Sequence, residues 1–260
     1  MTESRLRSAA KRQSELLALI RSASGGLLVA GLAGRFGVSL ETLRRDLRSL
    51  ETQGTITRAY GTVQANESGA FETALSERAD SNVAEKERIA EAVVARLGEA
   101  QTLYIDEGFN PSLVAKKLPE DRQLTVVTPS LPIAMILVGK PNIKPIILGG
   151  RVRSNTLGVV DEWASEMLSR LTIDLAILGA NAVSIDRGMS TPDPAVAVIK
   201  RAAVQASIRR FFIGAHNKFG LASFVRFADI SDFELLITGR ELSVTRAKAF
   251  RGTGTSLLRV

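Results

Sequence analysis

An α/β chain in two parts is what this 260-residue sequence predicts: a small N-terminal helical module with a two-stranded wing, then a larger module on a mostly parallel sheet. Three observations predict it. Leucines recur at helical spacing between residues 40 and 50, and an alternating run with a central glycine follows. Beyond residue 100, continuous apolar runs such as "LTVVT" and "IDLAIL" alternate with amphipathic stretches, the pattern of strands buried on both faces between covering helices. Charge divides the same way. Residues 1–65 hold ten Lys/Arg and five Asp/Glu, five of the net +7, which leaves +2 for the other three quarters. A basic small module beside a nearly neutral large one points to an anionic partner, although solubility alone is the commoner meaning of such an excess.

"RQSELLALIRSASG" opens the small module, with Leu16, Leu17, Leu19 and Ile20 near one helical stripe and Gly25 and Gly26 ending it. "LLVAGLAGRFG" gives a second helix with Val29, Leu32, Ala33 and Phe36 inward, weakened by Gly31 and Gly34. Gly37 and Val38 make a turn. Ser39 then stands at a natural N-cap, its hydroxyl available to the first free amides. In the third helix Leu40, Leu43, Leu47 and Leu50 form one apolar stripe, closed by Gly54. "TITRAYGTVQ" alternates around Gly61 and reads as a hairpin. These elements make a domain of residues 1–65, polar residues 66–82 a linker, and residues 83–260 the second domain, opened by a helix from Val83 to about Leu97. After that, "QTLYI", "LTVVT", "IKPII", "IDLAIL", "RRFFI" and "FELLIT" read as strands, separated by helices such as "DEWASEMLSRL" and "PAVAVIKRAAVQAS". Residues 241–260 carry no functional signal.

Composition excludes several functions. No cysteine means no disulfide and no thiolate metal site, and fits a reducing compartment. The single histidine, His216, argues against a histidine zinc site or a Ser-His-Asp triad. No run approaches the roughly 18 apolar residues of a membrane span. The basic N-terminus has its apolar stretch broken by Glu15 and does not read as a secretory signal. A cytoplasmic protein is expected, with no cofactor, no metal and no catalytic set.

With its leucines inward, the third helix turns Thr42, Arg44, Arg45 and Arg48 outward as a continuous strip. Guanidinium forks hydrogen-bond phosphate oxygens or the major-groove edge of guanine in bidentate fashion. Such a helix touches bases mainly through its N-terminal residues, here Thr42, Arg44 and Arg45. Ser39 and the helix N-terminus suit a phosphate. Asp46, between two arginines, is expected to hold one of them. Arg58 and Tyr60 on the wing are expected to reach backbone or minor groove. A charge run is ordinarily a solvated face. Here the turn spacing, the outward arginines and the basic wing converge on double-stranded DNA.

"FGVSLETLRRDLRSLETQGTITRAYG" resembles the DeoR-type helix-turn-helix of bacterial sugar-metabolism regulators, with Val38, Ser39, Thr42, Leu43, Arg44, Arg45, Asp46, Leu47, Leu50 and Gly54 matching in order. The wing departs slightly, with Tyr60, Gly61 and Thr62 where that family often has His-Gly-Gly. The resemblance runs to about residue 240. It implies a winged helix-turn-helix joined to a sensor domain similar to phosphosugar isomerases, used for sensing rather than turnover, in a ligand-responsive repressor.

The sensor is also legible from its own residues. In an open parallel sheet, ligands sit at the carboxyl ends of strands. The polar loops there are "DEGFNP", "TPS", "GGRVRSNT", "GANAVS", "STPDP" and "HNKFG". The residues expected to touch an effector are Asp106, Glu107, Gly108, Asn110, Thr128, Gly150, Arg151, Asn181, Asp193, Lys200 and Lys218. The resemblance matches Asp106, Gly108, Thr128, Gly149, Gly150, Asp174, Gly179, Thr191, Lys200 and the Lys218-Phe219-Gly220 loop. It departs at two hydroxyl positions that hold phosphate in that family, here Phe109 and Asn110, and at Pro129 in place of an asparagine. Phe109 is expected to add bulk to the pocket, and the Glu107 carboxylate to repel phosphate and accept sugar hydroxyls. A sugar acid, polyol or unphosphorylated sugar therefore stands beside a sugar phosphate as the effector class.

Two other readings compete. One is a sugar isomerase-like or aldolase-like enzyme with an appended basic domain, with Asp106, Glu107, Asp193 and Lys218 as acid-base groups. The other is an architectural DNA-binding protein that takes no ligand. In the leading reading a single small winged module binds DNA weakly, so a homo-oligomer is expected.

Overall fold

A computed structural model describes residues 3–22, 27–52, 56–59, 61–65 and 82–260. The chain forms two compact units, Met1–Thr73 and Ala74–Val260.

The first unit contains α1 (Glu3–Ser22), β1 (Leu27–Leu28), α2 (Val29–Arg35), α3 (Leu40–Thr52), β2 (Ile56–Ala59) and β3 (Thr62–Ala65). Leu16, Leu17 and Ile20 of α1, Leu32 and Ala33 of α2, and Leu43, Leu47 and Leu50 of α3 close on Ile56 and Val63 of the wing. The expected inward position of Leu40 is corrected: it is 50 % exposed. It is the first residue of α3, and only Leu43, Leu47 and Leu50 of that helix enter the core. Gly37, at φ +60°, takes the left-handed conformation of the turn between α2 and α3, where a side chain would be strained. The wing has a strand that the sequence reading lacked: β1 pairs with β3, which pairs with β2. Gly25, Gly26 and Gly54, expected to end helices, lie outside the described residues.

The second unit is a seven-stranded parallel sheet between two helical layers. Its strands are β4 (Thr102–Ile105), β5 (Leu124–Thr128), β6 (Ile143–Ile147), β9 (Ile173–Leu178), β12 (Ser207–Ile213), β14 (Leu235–Thr238) and β15 (Ser256–Arg259). Their order is β15-β14-β12-β9-β4-β5-β6. Strand alternation sorts the two faces. Leu103, Ile105, Leu175, Ile177, Phe211 and Ile213 pack with α4 (Val83–Val94), α5 (Phe109–Lys117) and α6 (Leu131–Val138). Tyr104, Ala176, Leu178 and Phe212 pack with α7 (Glu162–Ser169), α8 (Pro194–Gln205) and α9 (Val244–Arg251). Two short additions sit at the loops: a hairpin of β7 (Arg151–Val152) and β8 (Val159–Val160), and an antiparallel sheet of β10 (Ala182–Ser184), β11 (Gly188–Thr191) and β13 (Val225–Ala228). Residues 241–260, silent in the sequence, supply α9 and the edge strand β15. No described helix is long and apolar enough to cross a membrane.

The strand order reverses once. From β4 the chain runs outward through β5 and β6, then returns to place β9 on the other side of β4. The crevice between the carboxyl ends of β4 and β9 is therefore the switch point at which open α/β sheets hold ligands.

One buried carboxylate ties the start of α4 to the far half of the sheet. Glu85 accepts the backbone N–H of His216 at 2.7 Å, the N–H of Gly239 at 3.2 Å and the His216 Nδ1–H at 2.8 Å. Glu85→Ala would leave buried donors unmet at about 1–3 kcal/mol each. We expect it to lower the urea-unfolding free energy of the second unit by about 3 kcal/mol and Glu85→Gln by less than half of that. A loss under about 0.5 kcal/mol for the alanine variant would show that water replaces the carboxylate.

Candidate DNA interface and effector site

Helix α3 is built as expected at its start. The Thr42 N–H donates to Ser39 Oγ at 3.1 Å, and the two hydroxyl oxygens lie 2.9 Å apart. Arg44, Arg45 and Arg48 are exposed on the side away from Leu43, Leu47 and Leu50. Arg45 meets Glu41 one turn earlier at 3.5 Å, an exposed pair of small energetic weight. The strip is thus held in solvent by a helix whose other face is locked into the core.

Asp46 does not hold a neighbouring arginine of α3, which corrects that expectation. It is 3 % exposed and faces α1. Arg12 Nε donates to it at 2.6 Å and Gln13 Nε2 at 3.0 Å. The bond to Asp46 raises the Arg12 pKa against the opposing effect of burial. The helical phase explains this: Asp46 precedes Leu47 on the buried side, so its carboxylate fastens α3 to α1 and leaves the exposed arginines alone. On the wing, Arg58 is half-buried and donates from Nε to Glu51 at 2.9 Å. That bond holds the Glu51 carboxyl below its usual range. Tyr60 lies outside the described residues.

At the switch point of the second unit, Asp106 follows β4 and Gly179 follows β9. The Gly179 N–H donates to Asp106 Oδ2 at 2.9 Å. Lys200, on α8, forms an ion pair with Asp106 and donates to the Gly179 carbonyl at 3.1 Å. Both charged side chains are almost fully buried, at 5 % and 1 % exposure. The Lys200 ammonium also lies 5.7 Å from the Phe227 ring centroid, a cation–π contact.

A second cluster stands beside the first. Glu107 is 8 % exposed at its side chain and meets Arg153 Nη1 at 3.3 Å. The Thr156 hydroxyl donates to its other oxygen at 2.8 Å. Arg153 reaches Asp193 with Nη2 at 3.2 Å. Asp193 also caps α8 by accepting the Ala195 N–H at 2.8 Å. Burial pushes the Glu107 pKa up, Lys200 pulls it back, and Asp106 adds to the rise. Gly158, on the β7–β8 hairpin, makes room for this carboxylate: a Cβ there would stand 1.6 Å from Glu107 Oε2. Between the two clusters lies a small recess lined by Asp106, Glu107, Pro129, Val160, Val196 and Lys200 among others.

The remaining expected residues distribute as follows. Thr128 is fully buried and accepts the Ser130 N–H at 3.1 Å, which shapes the start of α6. Gly108, at φ +123°, precedes α5. Gly150 approaches β8 so closely that a Cβ would meet the Val160 carbonyl oxygen at 2.3 Å. Asn181 accepts the Thr191 hydroxyl at 3.1 Å. Asn110 lies in the first turn of α5, its Oδ1 buried without a hydrogen-bond partner among the described residues. Lys218 is half-buried in the short 3-10 turn His216–Lys218. Arg151 is exposed and pairs with Asp161 at 3.1 Å, outside the cluster. Phe109 corrects an expectation: it packs among the α4–α6 side chains, 5.1 Å from the Lys86 ammonium, and adds no bulk to the recess. Arg153 and Thr156 lie in the loop "GGRVRSNT" expected at the rim but were not among the residues expected to touch an effector, and Gly158 just after it was not expected there. A second arginine in "RVRSNTLG" was the only sign of their role. Among the described residues no group of three or more His, Cys, Asp or Glu side chains is placed to hold a metal.

Residues 12–69 match the DeoR-like helix-turn-helix domain family, and residues 81–240 match the DeoR C terminal sensor domain family. The HTH-type transcriptional regulator GlpR of Haloferax volcanii is 30 % identical over 249 residues, 96 % of this chain and 97 % of that protein. The glycerol-3-phosphate regulon repressor of Escherichia coli K12 is 31 % identical over 228 residues, 88 % of this chain and 90 % of that one. The HTH-type transcriptional repressor CsqR of the same organism is 28 % identical over 227 residues, 87 % of this chain and 86 % of its own.

Asp46→Ala removes the acceptor that joins α3 to α1 while touching none of the exposed arginines. Arg12 keeps 22 % of its side-chain exposure, so water recovers part of the loss. We expect the first unit to lose about 2 kcal/mol and the second unit to unfold as before, read by hydrogen exchange of each unit. Equal protection of α1 in both proteins would remove Asp46 from the fastening role.

Proposed function

The chain belongs to the DeoR family of DNA-binding transcriptional regulators, and on that premise we propose that it represses a carbohydrate-catabolism operon until a small carbohydrate effector releases it. The observation that carries this reading is the two-sided construction of α3. Leu43, Leu47, Leu50 and Asp46 are consumed by the core, and Arg44, Arg45 and Arg48 stand exposed along the opposite side. An exposed arginine strip behind a Ser39 N-cap suits the major groove, with Ser39 and Thr42 toward backbone phosphates. Arg58, committed to Glu51, serves better as a brace of the wing than as a base reader.

Effector binding is assigned to the recess at the sheet's switch point, with Asp106 and Lys200 at its floor. A regulator reading supports these groups better than an enzyme reading. Asp106 and Asp193 are already ion-paired, and Glu107 is clamped by Arg153 and Thr156. Each already has a partner of its own, where a general base needs an open approach to the proton it takes. The protein then acts in the cytoplasm, without turnover and without a cofactor. It works as a homo-oligomer, because one small winged module gains affinity only by being paired with another.

Arg45→Ala tests the DNA reading. Its side chain is 78 % exposed, so thermal stability should not change. Operator affinity should fall about tenfold or more, with the slope of log affinity against log salt reduced by about one if the contact is to phosphate. Wild-type affinity and slope in the variant would move the interface off this helix. For the effector, the right variant is Asp106→Asn, because alanine would strand the buried Lys200. Operator binding should persist while release by carbohydrate is lost. A variant released at the wild-type effector concentration would move the site elsewhere.

A further inference from the structure

A guanidinium fork and a hydroxyl on one loop make a strong oxyanion holder. Arg153 and Thr156 are such a pair, yet both are turned onto a carboxylate of the chain itself. Arg153 Nη1 lies 3.3 Å from Glu107 and Thr156 Oγ1 lies 2.8 Å from it. The other end of the guanidinium faces Asp193 at 3.2 Å. Lys200 is taken in the same way by Asp106 and the Gly179 carbonyl. Around the recess, the carboxylates of Asp106, Glu107 and Asp193 thus outnumber the cations Arg153 and Lys200 by one.

The carboxylate is seated rather than parked. Gly158 has no side chain where Glu107 lies, and a Cβ there would stand 1.6 Å from its Oε2. The neighbouring helix starts are also engaged. Ser130 accepts the Ile133 N–H at the start of α6, and Asp193 accepts the Ala195 N–H at the start of α8. In the loop-to-helix turn just after Asp106 and Glu107, Asn110 Oδ1 is a further acceptor, buried with no partner among the described residues. An acceptor is satisfied by a hydroxyl and repelled by a phosphate oxygen.

We propose that the effector is an uncharged polyhydroxyl compound, a sugar or polyol without a phosphate group, and that Glu107 sets this choice by occupying the Arg153–Thr156 pair with its own carboxylate. The inference rests on the reading that a carbohydrate effector binds this recess. A phosphate dianion arriving there meets a surplus negative charge and finds both cations compensated. A neutral polyol meets fixed acceptors and fixed donors without charge repulsion.

The test is a calorimetric titration of the full chain with inorganic phosphate at constant ionic strength, in the wild type, Glu107→Gln and Glu107→Ser. Weak sites on the basic helix of the first unit are common to all three and cancel. The wild type should show no phosphate binding that depends on Arg153. Glu107→Ser, or Glu107→Gln if the serine variant fails to fold, should gain a site at least tenfold tighter, and adding Arg153→Met should abolish it. Phosphate binding by the wild type that weakens tenfold on Arg153→Met overturns the inference. So does a folded pair of Glu107 variants that gains nothing. Operator release with matched pairs separates this from the broader reading. Release by ribitol 5-phosphate or glycerol 3-phosphate but not by ribitol or glycerol overturns the inference and leaves a carbohydrate-controlled repressor. Release by no carbohydrate removes that reading, and the phosphate titration still decides what Glu107 does.

Discussion

A lysine and an aspartate, both withdrawn from water, meet where the sheet of the larger unit changes direction, and that unit is arranged around their contact. Asp106 ends one strand, Gly179 the adjacent one, and Lys200 reaches both from a helix laid across the gap. Taking two charges out of water is costly, and the loss of either partner would leave the other stranded at about 3–5 kcal/mol. A hydrophobic pair of equal volume would close the crevice more cheaply. The ion pair instead keeps polar atoms at the one place where the backbone diverges and a recess persists. The neighbouring Arg153 cluster extends the same solution outward, each cation answered by a carboxylate from a different loop.

The two units handle arginine in opposite ways. In the first, the cations on α3 are spread over a solvated face, where their field reaches outward and is screened by salt. In the second, Arg153 and Lys200 are buried and compensated, so their field ends within a few ångströms. The first arrangement suits a long polyanion that supplies the missing negative charge. The second suits a small molecule recognised by where its hydrogen-bonding groups lie. The net charge of the chain, five of its seven units gathered in the first quarter, is the trace of this difference in the composition.

Much of this was legible before any coordinates. The period of Leu43, Leu47 and Leu50 set the phase of α3 and with it the outward arginines, because helix geometry leaves them no other side. The alternation of "RRFFI" and the continuous runs of "IDLAIL" placed both faces of the parallel sheet. What escaped depended on contacts distant in sequence. Asp46 looked like a partner for the arginines beside it until α1 brought Arg12 and Gln13 against it. Leu40 fitted the leucine stripe but is half-exposed at the first position of its helix. Phe109 stood at a position expected to face a ligand, but as the first residue of α5 it packs on the α4–α6 side of the sheet. Arg151 and Arg153 were equivalent in sequence, and the tight β7–β8 hairpin alone decided which of them entered the cluster. Strand β1 is two residues long, too short for any periodic signal.

The glycine at position 158 and the glutamate at position 107 belong to different loops, yet they share one space. A side chain at position 158 would push the carboxylate end of Glu107 off the Arg153–Thr156 pair, and a shorter residue at 107 would leave that space open. The two positions are therefore coupled, and a laboratory search that varies them together would reach pockets that varying either alone does not.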